Sequence, residues 1–385
     1  MSVNIKALSS GPKHHFFGYY GINPWDGSIK FHLALETDFH ERPPVVGDFA
    51  TVGLIDRQTH LFTPYAKTSA FNLQQGSMMH WIDVGFGEEF TFNDWEDGKL
   101  VARAVNPETG KMRTIGGAIA AVSPTEPIAM GLNFARMAHC RPVVGYANDM
   151  DPETLEPAPE DDGLLLLDLK SGESRLLLSI AEVIRASGYE EVKGELAWFN
   201  HILFNPAGTR ILFFCRAKKE KGHYSSLWTA NPDGTGFQCQ IPFNYKISHF
   251  AWRDARRILI SSDFLGEMQF LEFTDGERDF RPFGQGVLPR DGHMSFSPDG
   301  RWLVTDSYPQ GDRRLSELIL YAVSNRTKVT LGRFHSEEEF KGDIRCDLHP
   351  RWSPDGKTIS FDSVHEGSRQ IYLADVTSVV NSSFE

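Results

Sequence analysis

The segment His293–Asp306 reads HMSFSPDGRWLVTD. It opens on a histidine, places an aromatic residue three positions later, turns on Ser-Pro-Asp-Gly and continues into an apolar run. Proline presets φ in such a turn and glycine accepts positive φ, so S-P-D-G between short apolar stretches signals strand, turn, strand. The same order recurs as HILFNPAGTRILFF from His201, HFAWRDARRILIS from His249 and HPRWSPDGKTISFD from His349. The aromatic residues are Phe204, Trp252, Phe296 and Trp352, and the histidines lie 48, 44 and 56 residues apart. Segments such as Leu227–Ala230 and Ile371–Ala374 add a further strand to each unit. Three or four short strands in a repeat of roughly 40–50 residues are the signature of a β-propeller blade.

Working outward, the first half phases less regularly. Tyr20–Leu35 fits a first blade, Met78–Ile82 with Glu89–Trp95 a second, and Ile119–Phe134 a third. The expectation is an all-β, seven-bladed propeller in one domain, with blades near 9–68, 70–116, 117–180, 195–244, 246–288, 290–335 and 345–385. A strand near Val3–Leu8 would close the ring against the last blade. Ile180–Ser187 reads as a helix, and the acidic, Pro-rich stretch Asn148–Asp162 as an exposed loop.

The 385 residues carry 51 acidic against 39 basic side chains, a net charge of −12. That balance argues against nucleic acid as a partner, because phosphate binding needs a basic footprint. No apolar run approaches the roughly 18 residues that span a bilayer, so no membrane partner is expected. The N-terminal residues MSVNIKALSSGPKHH show no apolar core of a signal peptide. Cys140, Cys215, Cys239 and Cys346 are scattered and form no C-x-x-C pair, which reads as reduced thiols or metal ligands. A cytoplasmic protein is the expectation.

In a blade the innermost strand lines the central channel. His201, His249, His293 and His349 each start such a strand, so four consecutive blades aim an imidazole at one rim. Converging imidazoles suit metal binding or proton transfer. For any one of them, a hydrogen bond between blades is the plainer reading; the set of four favours function, because the repeat itself requires only a turn and an apolar pattern. Cys346 and His349, three residues apart, with His293 from the neighbouring blade, suit a Zn-type site, and Asp306 is a possible fourth ligand. In the first half, Lys13–Tyr20 (KHHFFGYY) is too dense in polar aromatics for a plain strand. His80 sits on the expected inner strand of blade two. Arg136, Arg141 and Tyr146 follow blade three; the arginines could grip a carboxylate and the tyrosine could pass a proton.

The motifs K-H-H-F-F-G-Y-Y, Q-Q-G-x-M-x-x-W, N-F-x-R, R-P-x-x-G-Y and C-D-x-H-P-R-W-S-P-D-G together resemble the propeller polysaccharide lyases, over roughly His14 to Tyr372. The resemblance is nearest to the ulvan lyases and more distant to the oligogalacturonate lyases. It implies β-elimination on a uronate-containing oligosaccharide. Carried over from ulvan lyases, His80 and Tyr146 would be base and acid, Arg136 or Arg141 the carboxylate clamp, and His293, Cys346 and His349 a structural Zn site. Carried over from oligogalacturonate lyases, His249 would be the base, His293 and His349 metal ligands, and Arg216 an assistant; Cys346 falls where that family has a glutamine ligand. His201 joins these as a catalytic candidate. The implied cofactor is a divalent metal, Zn first and Mn second. The chain departs from the ulvan lyases in Phe92-Asn93-Asp94-Trp95, where they carry a second histidine. With no signal peptide in view, short imported oligouronides are the expected substrates. The competing reading is a propeller that binds a glycan or protein without catalysis.

Overall fold

The structure is a computed structural model and describes residues 3–82, 84 and 89–382. It contains seven four-stranded antiparallel sheets arranged as the blades of a propeller. Blade 1 comprises His14–Phe16, Phe31–Thr37, Ala50–Asp56 and Phe62–Thr68. Blade 2 runs from His80–Ile82 to Met112–Ile115, blade 3 from Ile119–Val122 to Ser174–Ser179, and blade 4 from Ala197–Phe204 to Gln238–Ile241. Blade 5 runs from Ile247–Trp252 to Arg281–Pro282, and blade 6 from Ser295–Phe296 to Thr327–His335. Blade 7 holds Arg351–Trp352, Thr358–Ser363 and Gln370–Asp375. The turn expected inside blade 2 falls largely at 83 and 85–88, and the end of the last expected blade at 383–385; both lie outside the described residues.

The ring closes through the N-terminus. Asn4–Ala7 pairs antiparallel with Gln370–Asp375, in register Asn4 to Asp375 and Ala7 to Tyr372. The outermost strand of blade 7 therefore comes from the opposite end of the chain, and an edge that would otherwise stay unpaired is filled. Between blades the faces are apolar and buried, as where Trp302, Leu320, Trp352 and Phe361 join blades 6 and 7.

Two segments depart from the repeat. Residues 132–162 interrupt blade 3 and hold a short helix, α1 (Phe134–Cys140), whose N-terminus is capped by the Asn133 side chain accepting from the Arg136 N–H. A second helix, α2 (Ile180–Ser187), opens on a Ser179/Glu182 capping box and ends at Gly188, which has φ +63°; this is the helix expected from sequence. The link after blade 1's first strand, Phe17–Tyr20, crosses the blade ends instead of following them. Gly18 (φ +107°) and Gly76 (φ +60°) meet there backbone to backbone: a Cβ on Gly76 would stand 2.3 Å from the Phe17 carbonyl oxygen. Only glycine permits that approach. The Gly18 N–H donates to Asp362, which also pairs with Arg351 at 2.6 Å in full burial. The K-H-H-F-F-G-Y-Y and Q-Q-G motifs thus exist to lay two tyrosines across the channel.

Candidate active site at the histidine mouth of the channel

The four repeat histidines converge. The ring centroids of His249 and His293 are 4.2 Å apart, and those of His293 and His349 4.1 Å. Local backbone irregularity aims them. The ladder of blade 4 shifts register between Asn200 and Ile202, leaving His201 as the extra residue, and that of blade 5 shifts between Ile247 and Phe250, around His249. His201 and His349 have φ of +50° and +43°. Bulges and left-handed non-glycine residues are costly, and they occur where a side chain must be re-aimed. Tyr20 stands in the middle of the four, with centroids 5.1–6.0 Å from all of them. Its hydroxyl lies 3.3 Å from His201 Nδ1 and donates to the Phe250 carbonyl.

Next to this cluster, His293, Asp347 and His349 form a tripod whose ligand atoms lie within 4.8 Å of one another. His293 Nε2 and His349 Nε2 are 3.9 and 4.0 Å from Asp347 Oδ2. Two imidazoles and a carboxylate at this separation fit a divalent cation with positions left open for other ligands. All three side chains are buried, where unpaired polar groups are costly. Asp306 supports the tripod from behind. It accepts from the backbone N–H groups of His293 (2.8 Å) and His349 (3.2 Å), and from His293 Nδ1 at 3.0 Å. A carboxylate only accepts, so Nδ1 carries the proton and Nε2 faces the tripod. Burial opposes charge on His293, but Asp306 lifts its pKa above the usual imidazole value. Against its own burial, Asp347 is held below the usual carboxylate range by His293 and Arg345. Arg345 grips both Asp347 oxygens at 2.6 Å. Its carbonyl accepts from Gln74 and from Arg369, which ties the ligand loop to the Q-Q-G segment.

His249 is the repeat histidine that keeps access to solvent, its side chain 15% exposed. Its Nδ1 lies 2.9 Å from Asp291 Oδ1 and so carries a proton. Nε2 is left as the basic atom. Burial depresses the His249 pKa, with Asp291 partly offsetting it, so the ring is neutral near pH 7. Near Tyr19 stand two cations, Arg216 buried and Arg141 half-buried. Burial first, and then Arg141, bring Arg216 down to about 9. The Nε groups of Arg141 and Arg216 are buried without a partner. Arg141 Nη1 reaches His223 Nε2 at 3.3 Å. Neither arginine is in an ion pair with a carboxylate among the described residues, and neighbouring guanidinium groups so placed are unfavourable until an anion arrives.

The sequence candidates divide sharply. His249, His293, His349 and Asp306 meet at this mouth, with Arg141 and Arg216 beside them. Asp306 is a hydrogen-bond support and not one of the tripod groups. Cys346 also stays out: it packs with Phe340 and Val364, and burial pushes its thiol up to about 12. Asp347, its neighbour, takes the place expected for the thiolate. His201 stacks on Phe250 at 4.1 Å and is 3% exposed. Arg136 donates to the carbonyls of Ala197, Glu156 and Pro157, fastening the blade 3 insertion to blade 4. Tyr146 is fully buried, stacked on Phe134, and its hydroxyl accepts from Asn93. That Asn93 stands in the stretch where a second histidine was missed, and it joins blades 2 and 3. His80 lines a different cavity, of about 320 Å³, with Trp81, Leu203–Pro206, Ala251–Trp252 and Met294–Phe296. These are the turn ends of the inner strands, so His80 serves the opposite mouth. Tyr19, Tyr20 and Asp347 were not singled out from sequence. The dense KHHFFGYY motif was the available signal for the tyrosines.

No protein family model and no curated protein matches the chain. Solved structures do. An oligogalacturonate lyase from Vibrio parahaemolyticus is 14% identical, with TM-score 0.68 over 100% of this chain and 99% of that one. An oligogalacturonate lyase in complex with manganese is 16% identical, with TM-score 0.67 over 97% of this chain and 96% of that one. A puromycin hydrolase is 12% identical, with TM-score 0.56 over 96% of this chain and 53% of that one. At these identities the likeness establishes the seven-bladed fold, which hosts unrelated chemistries. The two lyases belong to the family read above as the more distant resemblance, and ulvan lyases are not among these structures. No helix of the described residues is long and apolar enough to cross a membrane.

Proposed function

We propose that the chain is a metal-containing lyase that cleaves short oligouronides by β-elimination. The observation that carries this is the juxtaposition, at one mouth, of the His293/Asp347/His349 tripod, a neutral His249 held by Asp291, and the arginines Arg141 (half-buried) and Arg216 (buried), neither in an ion pair with a carboxylate among the described residues. β-Elimination on a uronate makes three demands. A base must take the C5 proton, negative charge must be tolerated on the adjacent carboxylate, and the C4–O bond must break, with water protonating the departing oxygen, to leave a C4=C5 double bond. His249 Nε2 meets the first, with Asp291 stabilising the imidazolium that forms. Arg141 and Arg216 meet the second through charge-assisted hydrogen bonds. A divalent cation on the tripod would supply Lewis acidity to the same carboxylate. The tripod's two nitrogens and one oxygen, without a thiolate, remove the argument for Zn over Mn. The likeness to a manganese-bound oligogalacturonate lyase supports the divalent reading.

The test is near-ultraviolet absorbance during incubation with galacturonate, glucuronate and iduronate oligomers, each with and without Mn²⁺. A rise on one of them marks the unsaturated product. No rise on any member, with the protein folded and metal-loaded, would sink the lyase reading in favour of a binding propeller.

A further inference from the structure

A second cavity opens on the histidine side of the ring, between blades 4 and 5, with a volume of about 370 Å³. His223 is part of its wall and is also the residue that Arg141 touches, so the cavity and the arginine pair share a boundary. The wall also includes Lys246, the residue just before the strand Ile247–Trp252 that carries the proposed base. Tyr189, Tyr224 and Tyr245 supply aromatic surface, and the Lys219 ammonium sits 5.0 Å from the centre of the Tyr224 ring. Both lysines are exposed and, among the described residues, neither is held in an ion pair. The one carboxylate in the wall, Asp263, is turned to the backbone, accepting from the Lys246 N–H at 2.7 Å. Rings offering a flat apolar face beside uncommitted cations are what an anionic pyranose needs. The C–H face of the sugar packs on an aromatic ring, and its carboxylate meets an ammonium.

We propose that this cavity is a distal subsite that binds a further uronate residue of the substrate, reached past His223 from the cleavage site. The proposal rests on the uronate-lyase reading and adds to it a direction for the bound chain and a preference for substrates longer than a disaccharide. An overall charge of −12 makes this local basic surface the more selective.

Binding is measured by calorimetry on the manganese-loaded His249→Ala protein, which holds substrate without turning it over, using saturated dimers and trimers of galacturonate, glucuronate and iduronate. The expected result is that the trimer binds at least tenfold tighter than the dimer. Adding Lys219→Ala and Lys246→Ala should remove that gain and leave the dimer's Kd within about twofold. Both substitutions are on exposed side chains, so folding is preserved, and thermal unfolding verifies it. An absent trimer advantage, or an equal loss for both lengths, overturns the subsite while leaving the uronate reading in place. Failure of the parent to bind any of these oligomers overturns the uronate reading and the subsite with it.

Discussion

The two mouths of the channel are built from the same inner strands and differ in almost everything else. On the side where those strands begin the repeat supplies His201, His249, His293 and His349; register shifts aim the first two, and a left-handed backbone places His201 and His349. At the ends it supplies Phe204, Trp252 and Phe296 beside regular turns. Among the described residues, the cavity at the turn mouth is lined by no aspartate, glutamate, lysine or arginine. The histidine mouth gathers Asp291, Asp306, Asp347, Arg141, Arg216 and Arg345. Among the described residues, one repeat thus yields a neutral aromatic end and a charged end. What separates them is backbone irregularity and the strap Phe17–Tyr20, which closes the channel between.

Breaking the charged end should have the largest effects. Asp347→Ala removes the anionic member of the tripod and should abolish Mn²⁺ binding, measured by calorimetry or by the electron-spin signal of the free ion. Retained stoichiometric binding would mean that the tripod is not the metal site. Asp306→Asn cannot accept all three hydrogen bonds, so metal affinity should fall about 10–100-fold. Substitution of Cys346 by Ser sharpens the assignment further: affinity should stay within about twofold, and a collapse would restore the thiolate to the site.

The turn mouth answers through stability instead. Burial, the leading cause in each case, depresses His80 to about 4 and holds His32 well below the ordinary imidazole value. A folded pKa below the unfolded one means that the unfolded chain binds more protons once pH falls below about 6.5. Stability should be fully present above that pH and be lost progressively towards pH 4. Replacing His80 by Gln should make the acid-side decline in Tm shallower and change activity at pH 7 little. The smallest expected effect lies in the rate profile. Activity should fall with acid as His249 protonates, and Asp291→Asn, which removes the influence that raises that pKa, should move the limb to lower pH.

The fold was legible because its signals are local and repeated: each S-P-D-G turn and each histidine-to-aromatic spacing announces an inner strand. The convergence of the histidines followed from the same periodicity. What the repeat does not encode was hidden. Asp347 stands between Cys346 and Leu348, two residues before His349, and sequence cannot tell whether the thiol or the carboxylate points inward; the chain here buries the thiol against Phe340. Tyr146 and Arg136 lie in the blade 3 insertion, whose path is set by contacts with Asn93 and the Ala197 carbonyl, far away in sequence. Tyr20 reaches the channel axis only because Gly18 and Gly76 allow two backbones to touch, a non-local fit that no spacing rule reveals. His80 lies on the inner strand of blade 2, as expected, but that strand is short. His80 stands one residue before Trp81, which holds the place of Phe204 and Trp252, and so it lines the cavity at the turn end.

The most direct test of the account compares two histidines in one assay. His249→Ala and His80→Ala are prepared side by side, loaded with Mn²⁺, and followed by near-ultraviolet absorbance on whichever oligouronide the wild-type protein cleaves. The account predicts a loss of about 10²–10⁴-fold in kcat for His249→Ala, the range of a general base, and a change within about twofold for His80→Ala. The reverse pattern, with His80 essential and His249 dispensable, would contradict it and move the chemistry to the other mouth.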